Sequence, residues 1–266
     1  MHQQLKKLLW MFLRSPISKR FKRLVLHLAD QVKKEHETSL RKLRDEVCGR
    51  LTVLTGPFRG LRYPEVFAHG SAFYPKIIGS YELELHPTFE RLLKNDYRQI
   101  IDIGSAEGYY LIGLARLAPK ASVYGYEIDS SARAFSLKMA ESNGVADRVT
   151  VQEKCTETTL AEFAYDHCLI LCDCEGYENE LFTKVSASRL KDCDLIIESH
   201  DFIRPKTRDR LIELFSQSHK VSIIKSQIRT VWPFRKILKG LNSEVKRSAL
   251  AEYRPVQMEW LVFERK

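Results

Sequence analysis

The sequence predicts an α/β fold with a mostly parallel, doubly wound sheet, and three observations carry that expectation. From residue 99 onward, short apolar runs alternate with helical stretches, the pattern of a parallel sheet. The first run places Ile100, Ile101 and Ile103 around Asp102, as a strand covered on both faces should. It leads into Gly104-Ser105-Ala106-Glu107-Gly108 and then a helix over Tyr110–Ala118 that ends at Pro119. A glycine turn lets backbone approach a ligand, and a helix start offers N–H groups to a carboxylate or phosphate. Taken alone, the turn also fits an ordinary strand–helix corner.

Composition bounds the rest. The 266 residues leave room for one α/β domain of about 200 residues and an extension. An apolar share of 44% is enough to build a globular core. The net charge of +9 is uneven. Residues 1–50 hold 13 Lys/Arg and 5 Asp/Glu, or +8, leaving 30 against 29 for the remainder, or +1. The basic arm, not the body, is therefore the candidate for an anionic surface or partner. The six cysteines (Cys48, Cys155, Cys168, Cys172, Cys174, Cys193) include no C-x-x-C pair. Zinc-ligand spacing is absent, so packed free thiols are expected. Lys6-Lys7 before Leu8–Leu13 imitates a signal peptide, but Arg14 ends that run too early. No apolar run approaches the ~20 residues of a membrane span. The expected compartment is reducing and cytoplasmic.

In chain order, residues 1–50 read as a basic amphipathic helical extension. Leu5, Leu8, Leu9 and Phe12 recur at helical spacing, and Ser15-Pro16 looks like a cap and first helical position. Phe21, Leu24, Val25, Leu28 and Val32 continue a second stripe, which Leu40, Leu43 and Val47 extend. The stripe could pack on the body or on a second copy. With Trp10, Phe12 and the basic residues, it could instead rest on an anionic membrane at the inner face. No aromatic-studded basic groove is evident, which argues against nucleic acid. Residues 51–98 are rich in glycine, proline and tyrosine and are expected to form an ordered irregular segment near the cleft, with a lead-in helix over Pro87 to Lys94.

The domain proper spans residues 99–266. Its strands are expected at Gln99–Ile103, Ser122–Tyr126, Arg148–Gln152, Cys168–Cys172, Asp194–Ile197, Val221–Ile224 and Gln257–Glu264. Helices are expected at Ser131–Ser142, Thr156–Ala164, Glu178–Val185 and Lys206–Ser216. Residues 227–256 read as a basic, helical insertion or lid opening on Trp232-Pro233.

In an open parallel sheet, ligands collect at the carboxyl ends of the strands. Here those ends carry Asp102, Glu127, Asp173-Cys174-Glu175-Gly176-Tyr177-Glu178 and Glu198-Ser199-His200-Asp201. Any one acid could cap a helix, as Asp129 could, but four on one rim are hard to explain as packing. An acid such as Glu127, after the second strand, can accept both hydroxyls of a ribose. The turn is not G-x-G-x-x-G, which argues against a dehydrogenase.

These segments, with Glu127-Ile128-Asp129, resemble a class I S-adenosylmethionine-dependent methyltransferase over about residues 80–226. They are most similar to the FkbM-type methyltransferases, which carry D-x-E-G-x-E after strand four and an acid–x–His after strand five. Ala106 departs from the commoner pattern, which has glycine there. The resemblance implies a Rossmann-like, seven-stranded sheet with an antiparallel last strand. It implies that the turn from Asp102 through Gly104, Ser105, Ala106, Glu107 and Gly108 to Tyr109 holds the methionine end of S-adenosylmethionine. Glu127 would bind the ribose, Ile128 would pack on adenine, and Cys155 and Thr156 would flank it. Asp173 would face the methyl group and its acceptor.

The implied acceptor is a hydroxyl on a sugar, glycan or other small molecule. Nucleic-acid amino-methyltransferases of this fold carry an Asn/Asp-Pro-Pro-aromatic segment after strand four, which this chain lacks. A hydroxyl needs a base or a metal to lose its proton. His200 is the candidate base by residue type, with Asp173 and Glu198 beside it. Alternatively Asp173, Glu175 and Glu198 could hold Mg²⁺. Tyr81, Glu82, Glu175, Arg229 and Arg254 are candidate acceptor contacts by type and position. Two other readings compete: a peripheral membrane or complex-forming protein whose body only binds nucleotide, and an RNA ribose methyltransferase.

Overall fold

The computed structural model describes residues 19–163 and 167–266, without the side chains of residues 19–26 and 29. The expected stripe Leu5–Phe12, Trp10, Ser15-Pro16, the side chains of Phe21, Leu24 and Val25, and Ala164 lie outside the described residues.

Helix α1 (Lys19–Lys42) passes into a π-helical turn at Leu43–Val47. Leu43 and Cys48 are buried, whereas Leu28, Val32 and Leu40 are exposed. At Leu28, Val32 and Leu40 the apolar stripe is thus open, and at Leu43 it is anchored in the body. The Asn242 N–H donates to Ser39 Oγ at that junction, 3.1 Å away. Residues 51–63 form a tight loop, with Val53 N–H donating to Leu61 O at 2.8 Å and Tyr63 N–H to Leu51 O at 2.7 Å. Helices α2 (Phe73–Ile78) and α3 (His86–Leu92) follow, α3 carrying Pro87 in its first turn, where no N–H is needed.

Next come β1 (Gln99–Ile103), α4 (Tyr109–Leu117), β2 (Ser122–Tyr126), α5 (Ser130–Ser142), β3 (Val149–Gln152), α6 (Glu157–Ala161) and β4 (Cys168–Cys172). Then come α7 (Glu178–Leu181), α8 (Lys184–Arg189), β5 (Asp194–Ser199), α9 (Thr207–Phe215), β6 (His219–Lys225), α10 (Ser243–Leu250) and β7 (Glu259–Arg265). The single helix expected at 178–185 is divided. Thr183 accepts from Val185 N and Ser186 N and restarts the chain as α8 with a capping box. Residues 227–256 are mostly irregular, with one short turn at Trp232–Phe234 before α10.

The sheet order is β3-β2-β1-β4-β5-β7-β6. Strands β1 to β5 pair in parallel, and β7 is antiparallel to both β5 and β6. This is the Rossmann-like fold. The two-residue side-chain period of a strand divides the core into two layers. Ile100, Leu169, Leu171, Ile196 and Val262 face one layer, shared with Phe58, Leu61, Ile77 and Phe89 from the irregular segment. Ile101, Ile103, Ile170, Leu195, Ile197 and Phe263 face the other. Residues 51–98 are therefore part of the core and not a separable unit. All six cysteines are free, and all but Cys174 are buried. Among the described residues, no helix is long and apolar enough to cross a membrane.

Candidate active site

Register sets the rim. Ile103 pairs with Tyr126 on one side and with Cys172 on the other, and Cys172 pairs with Ile197. The next residues, Gly104, Glu127, Asp173 and Glu198, therefore leave the sheet at one level. They border a cavity of about 680 Å³ beside the β1/β4 switch in strand order.

The glycine turn is shaped by close approach. Gly104 has φ of +81°, and a Cβ there would sit 1.7 Å from the Asp173 carbonyl oxygen. Only glycine fits. Ala106 has φ of +46°, a left-handed conformation that costs an L-residue about 1–2 kcal/mol. Its N–H donates to Glu127 Oε2 at 2.9 Å, while Asp129 N–H donates to Oε1 at 2.8 Å. Glu127 thus fixes the turn and lines the cavity, and with one hydrogen bond on each oxygen it keeps capacity to accept more. Ser105 lines the cavity too, and its Oγ is buried with no hydrogen-bond partner among the described residues. Ile128 is 74% exposed and offers an apolar face at the rim. Tyr109 and Cys155 complete this half, and burial pushes the Cys155 thiol up to about 12.

Four residues expected at the cofactor lie elsewhere. Glu107 is fully buried behind the turn, where it pairs with Lys76 and accepts from Tyr63 OH at 3.3 Å and His69 N at 3.2 Å. Gly108 caps α4 and faces Ser136 and Ile112. Thr156 caps α6 by accepting from Thr159 N at 3.1 Å. Asp102 is buried within β1. Burial, and then the nearby Asp173 and Glu127, raise its carboxyl well above the usual range.

The other half of the cavity holds an imidazole among carboxylates. His200 is 1% exposed. Its Nδ1 is 2.7 Å from Glu178 Oε1. Its Nε2 lies 3.4 Å from Asp173 Oδ1, 3.5 Å from Glu175 Oε2 and 3.5 Å from Glu198 Oε2. Burial opposes a charge on this ring, but the Glu178 hydrogen bond and Asp173 outweigh it and raise the pKa. Burial, and then Asp173, raise the Glu198 and Glu175 carboxyls. Arg254 Nη1 donates to Glu198 Oε1 at 2.6 Å and Nε to Glu252 Oε2 at 3.0 Å, and Nη2 pairs with Glu82. Burial works against that guanidinium, but Glu82 and Glu198 hold it charged.

Of the candidate acceptor contacts, Tyr81, Glu175 and Arg254 line the cavity. Glu82 and Arg229 do not. Glu82 is buried against Arg254 and Tyr110, and burial raises its carboxyl to about 7. Arg229 is buried between Glu84 and Glu252, each 2.6 Å away, and donates to Ser80 O at 2.8 Å. Sequence reasoning missed Lys76, Phe202 and Tyr253 at the cavity, and it placed Glu178 at the rim without its role behind His200. Lys76 had one visible signal, a lone charge in the apolar run Phe73–Ile78.

No family model matches the sequence, and no curated protein matches it. Solved structures of similar arrangement include a precorrin-6y C5,15-methyltransferase from Geobacter metallireducens GS-15. It is 13% identical, with a TM-score of 0.47 over 68% of this chain and 89% of that one. An rRNA methylase from Streptococcus thermophilus is 11% identical, with a TM-score of 0.48 over 69% and 97% of the two chains. The O-methyltransferase TomG from Streptomyces achromogenes, in complex with SAM, is 14% identical, with a TM-score of 0.47 over 68% and 81%. The fold class above rests on the strand order of the sheet itself.

Proposed function

We propose that this protein is an S-adenosylmethionine-dependent methyltransferase acting on a hydroxyl of a sugar, glycan or other small molecule. One observation carries the reading. A single cleft at the sheet's switch point joins the Gly104–Ala106 turn and Glu127 to the His200 carboxylate cluster.

The residues present suit the cofactor. Glu127 lines the cavity with acceptor capacity left for ribose hydroxyls, Ile128 offers an apolar face for adenine, and the orphaned Ser105 Oγ belongs to the turn that would take the polar methionine end. When bound, S-adenosylmethionine would supply an electrophilic methyl group on a sulfonium, the sulfur keeping the S–C electron pair as a neutral thioether when an acceptor oxygen takes the methyl. The chain's own work is alignment and proton removal. Tyr81 and Arg254 border the space left for the acceptor. Arg254, fixed by three carboxylates, keeps Glu198 in place. The hydroxyl proton leaves toward the cluster of Asp173, Glu175, Glu198 and His200.

The test is calorimetric titration with S-adenosylhomocysteine. We expect saturable binding, weakened about tenfold or more by Glu127→Ala through loss of hydrogen bonds to a charged group. Absence of binding at millimolar ligand would sink the reading. Unchanged affinity in the variant would remove Glu127 from the ribose.

A further inference from the structure

We propose that Asp173, Glu175 and His200 bind one divalent transition-metal ion of the Mn²⁺ type. Their ligand atoms lie within 4.8 Å of one another. The His200 Nε2 separations of 3.4 and 3.5 Å are those of neighbouring ligands on one ion. With bonds of about 2.1 Å, adjacent ligands stand about 3 Å apart and opposite ones about 4.2 Å.

The histidine is the independent observation. It is 99% enclosed, and its Nε2 points into the carboxylates at 3.4–3.5 Å, with no hydrogen bond from that nitrogen among the described residues. Its other nitrogen is held by Glu178, itself fully buried. A carboxylate behind the ring is how ligand histidines are oriented. Asp173 Oδ1 is likewise buried with no hydrogen-bond partner among the described residues. Charge points the same way. Glu198 has Arg254, but among the described residues Asp173 and Glu175 form ion pairs only with the imidazole. Neither carboxylate is paired with a lysine or arginine among the described residues, so both are free to serve an ion.

The donor set selects the ion. Two carboxylates with one imidazole suit Mn²⁺ or Fe²⁺ better than Mg²⁺, which takes oxygen alone. Glu198, one of the three carboxylates expected from sequence, is replaced in the set by His200 because Arg254 occupies it. The site stands on its own geometry. Its use, favouring the ionised form of an acceptor hydroxyl, rests on the methyl-transfer reading.

Mn²⁺ binding to the full chain, followed by electron paramagnetic resonance, tests this. We expect one Mn²⁺ per chain, poorly displaced by an equal concentration of Mg²⁺. Glu175→Gln, on an exposed side chain that the fold does not need, should weaken binding about tenfold or more. Asp173→Asn and His200→Gln should do the same, with circular dichroism confirming the fold. No binding at millimolar Mn²⁺, or unchanged affinity in Glu175→Gln, overturns the site. Equal displacement by Mg²⁺ overturns the choice of ion. A parallel S-adenosylhomocysteine titration separates the two claims. Nucleoside binding without Mn²⁺ binding removes only the metal. Mn²⁺ binding without nucleoside binding removes only the methyltransferase reading.

Discussion

At the scale of single residues, two positions near the turn carry cost that can be measured. Ala106 holds a left-handed φ of +46° because its N–H must reach Glu127. Glycine adopts that conformation without the steric penalty. Ala106→Gly should therefore raise stability by about 1 kcal/mol in urea denaturation, and a fall in the midpoint would refute the strain. Asp102 has a different cost. Its carboxyl is raised by burial and by Asp173 and Glu127, so the folded chain keeps a proton that the unfolded chain has released. Where the folded state binds the extra proton, stability falls as pH rises. The fall begins near the ordinary Asp range, about pH 4, and ends above the raised folded value. In the ligand-free protein, Asp102→Asn should remove that part of the decline. An unchanged pH profile would show that Asp102 ionises normally in the fold.

At the scale of elements, α2 and the start of α4 are joined by one buried ion pair. Lys76 and Glu107 have side-chain exposures of 4% and 0%. The pair ties residues 51–98 to the turn, and Tyr63 and His69 add hydrogen bonds to the same carboxylate. Removing one partner leaves a buried charge, which costs about 3–5 kcal/mol. Lys76→Met should lose that much in urea denaturation, and adding Glu107→Gln should recover more than half. A double variant as weak as the single one would refute the latch. The irregular segment is thus built into the wall of the cavity, where Lys76 itself lies. The connection between β6 and β7 supplies a further part of that wall through Glu252, Tyr253 and Arg254, joined to the irregular segment by the Arg254–Glu82 pair.

At the scale of the molecule, charge and ligand act on different parts. The basic excess sits in residues 1–50, while six carboxylates line the cavity against Lys76, Lys154 and Arg254. Leu28 and Val32 are 49% and 65% exposed on α1, so the apolar stripe is open there before Leu43 enters the core. A ligand that binds only the folded cleft should stabilise the whole chain, since β1, β2, β5 and the segment after β4 all contribute to it. At a concentration a hundredfold above Kd, S-adenosylhomocysteine should add about 2.7 kcal/mol. Thermal unfolding should show this as a rise of several degrees, scaling with ligand concentration. A midpoint indifferent to ligand would mean the cleft does not take the nucleoside.

By itself, the sequence determined the alternation of strands and helices, the glycine turn and the acids at the strand ends. These are local signals, written in side-chain periodicity and turn chemistry. It also marked Glu127, Asp173, Glu198 and His200 as one rim, because strand ends in a parallel sheet share an edge. Tertiary structure alone decided which neighbouring polar groups face the cavity. Ser105 lines it, while Glu107, two residues on, is turned into the core by Lys76. Asp102 sits inside the sheet. The same holds for long-range partners. Glu178 reaches His200 across 22 positions, and Arg254 reaches Glu198 across 56 and Glu82 across 172. Such pairings depend on register and packing between distant elements, and a local pattern carries no record of either.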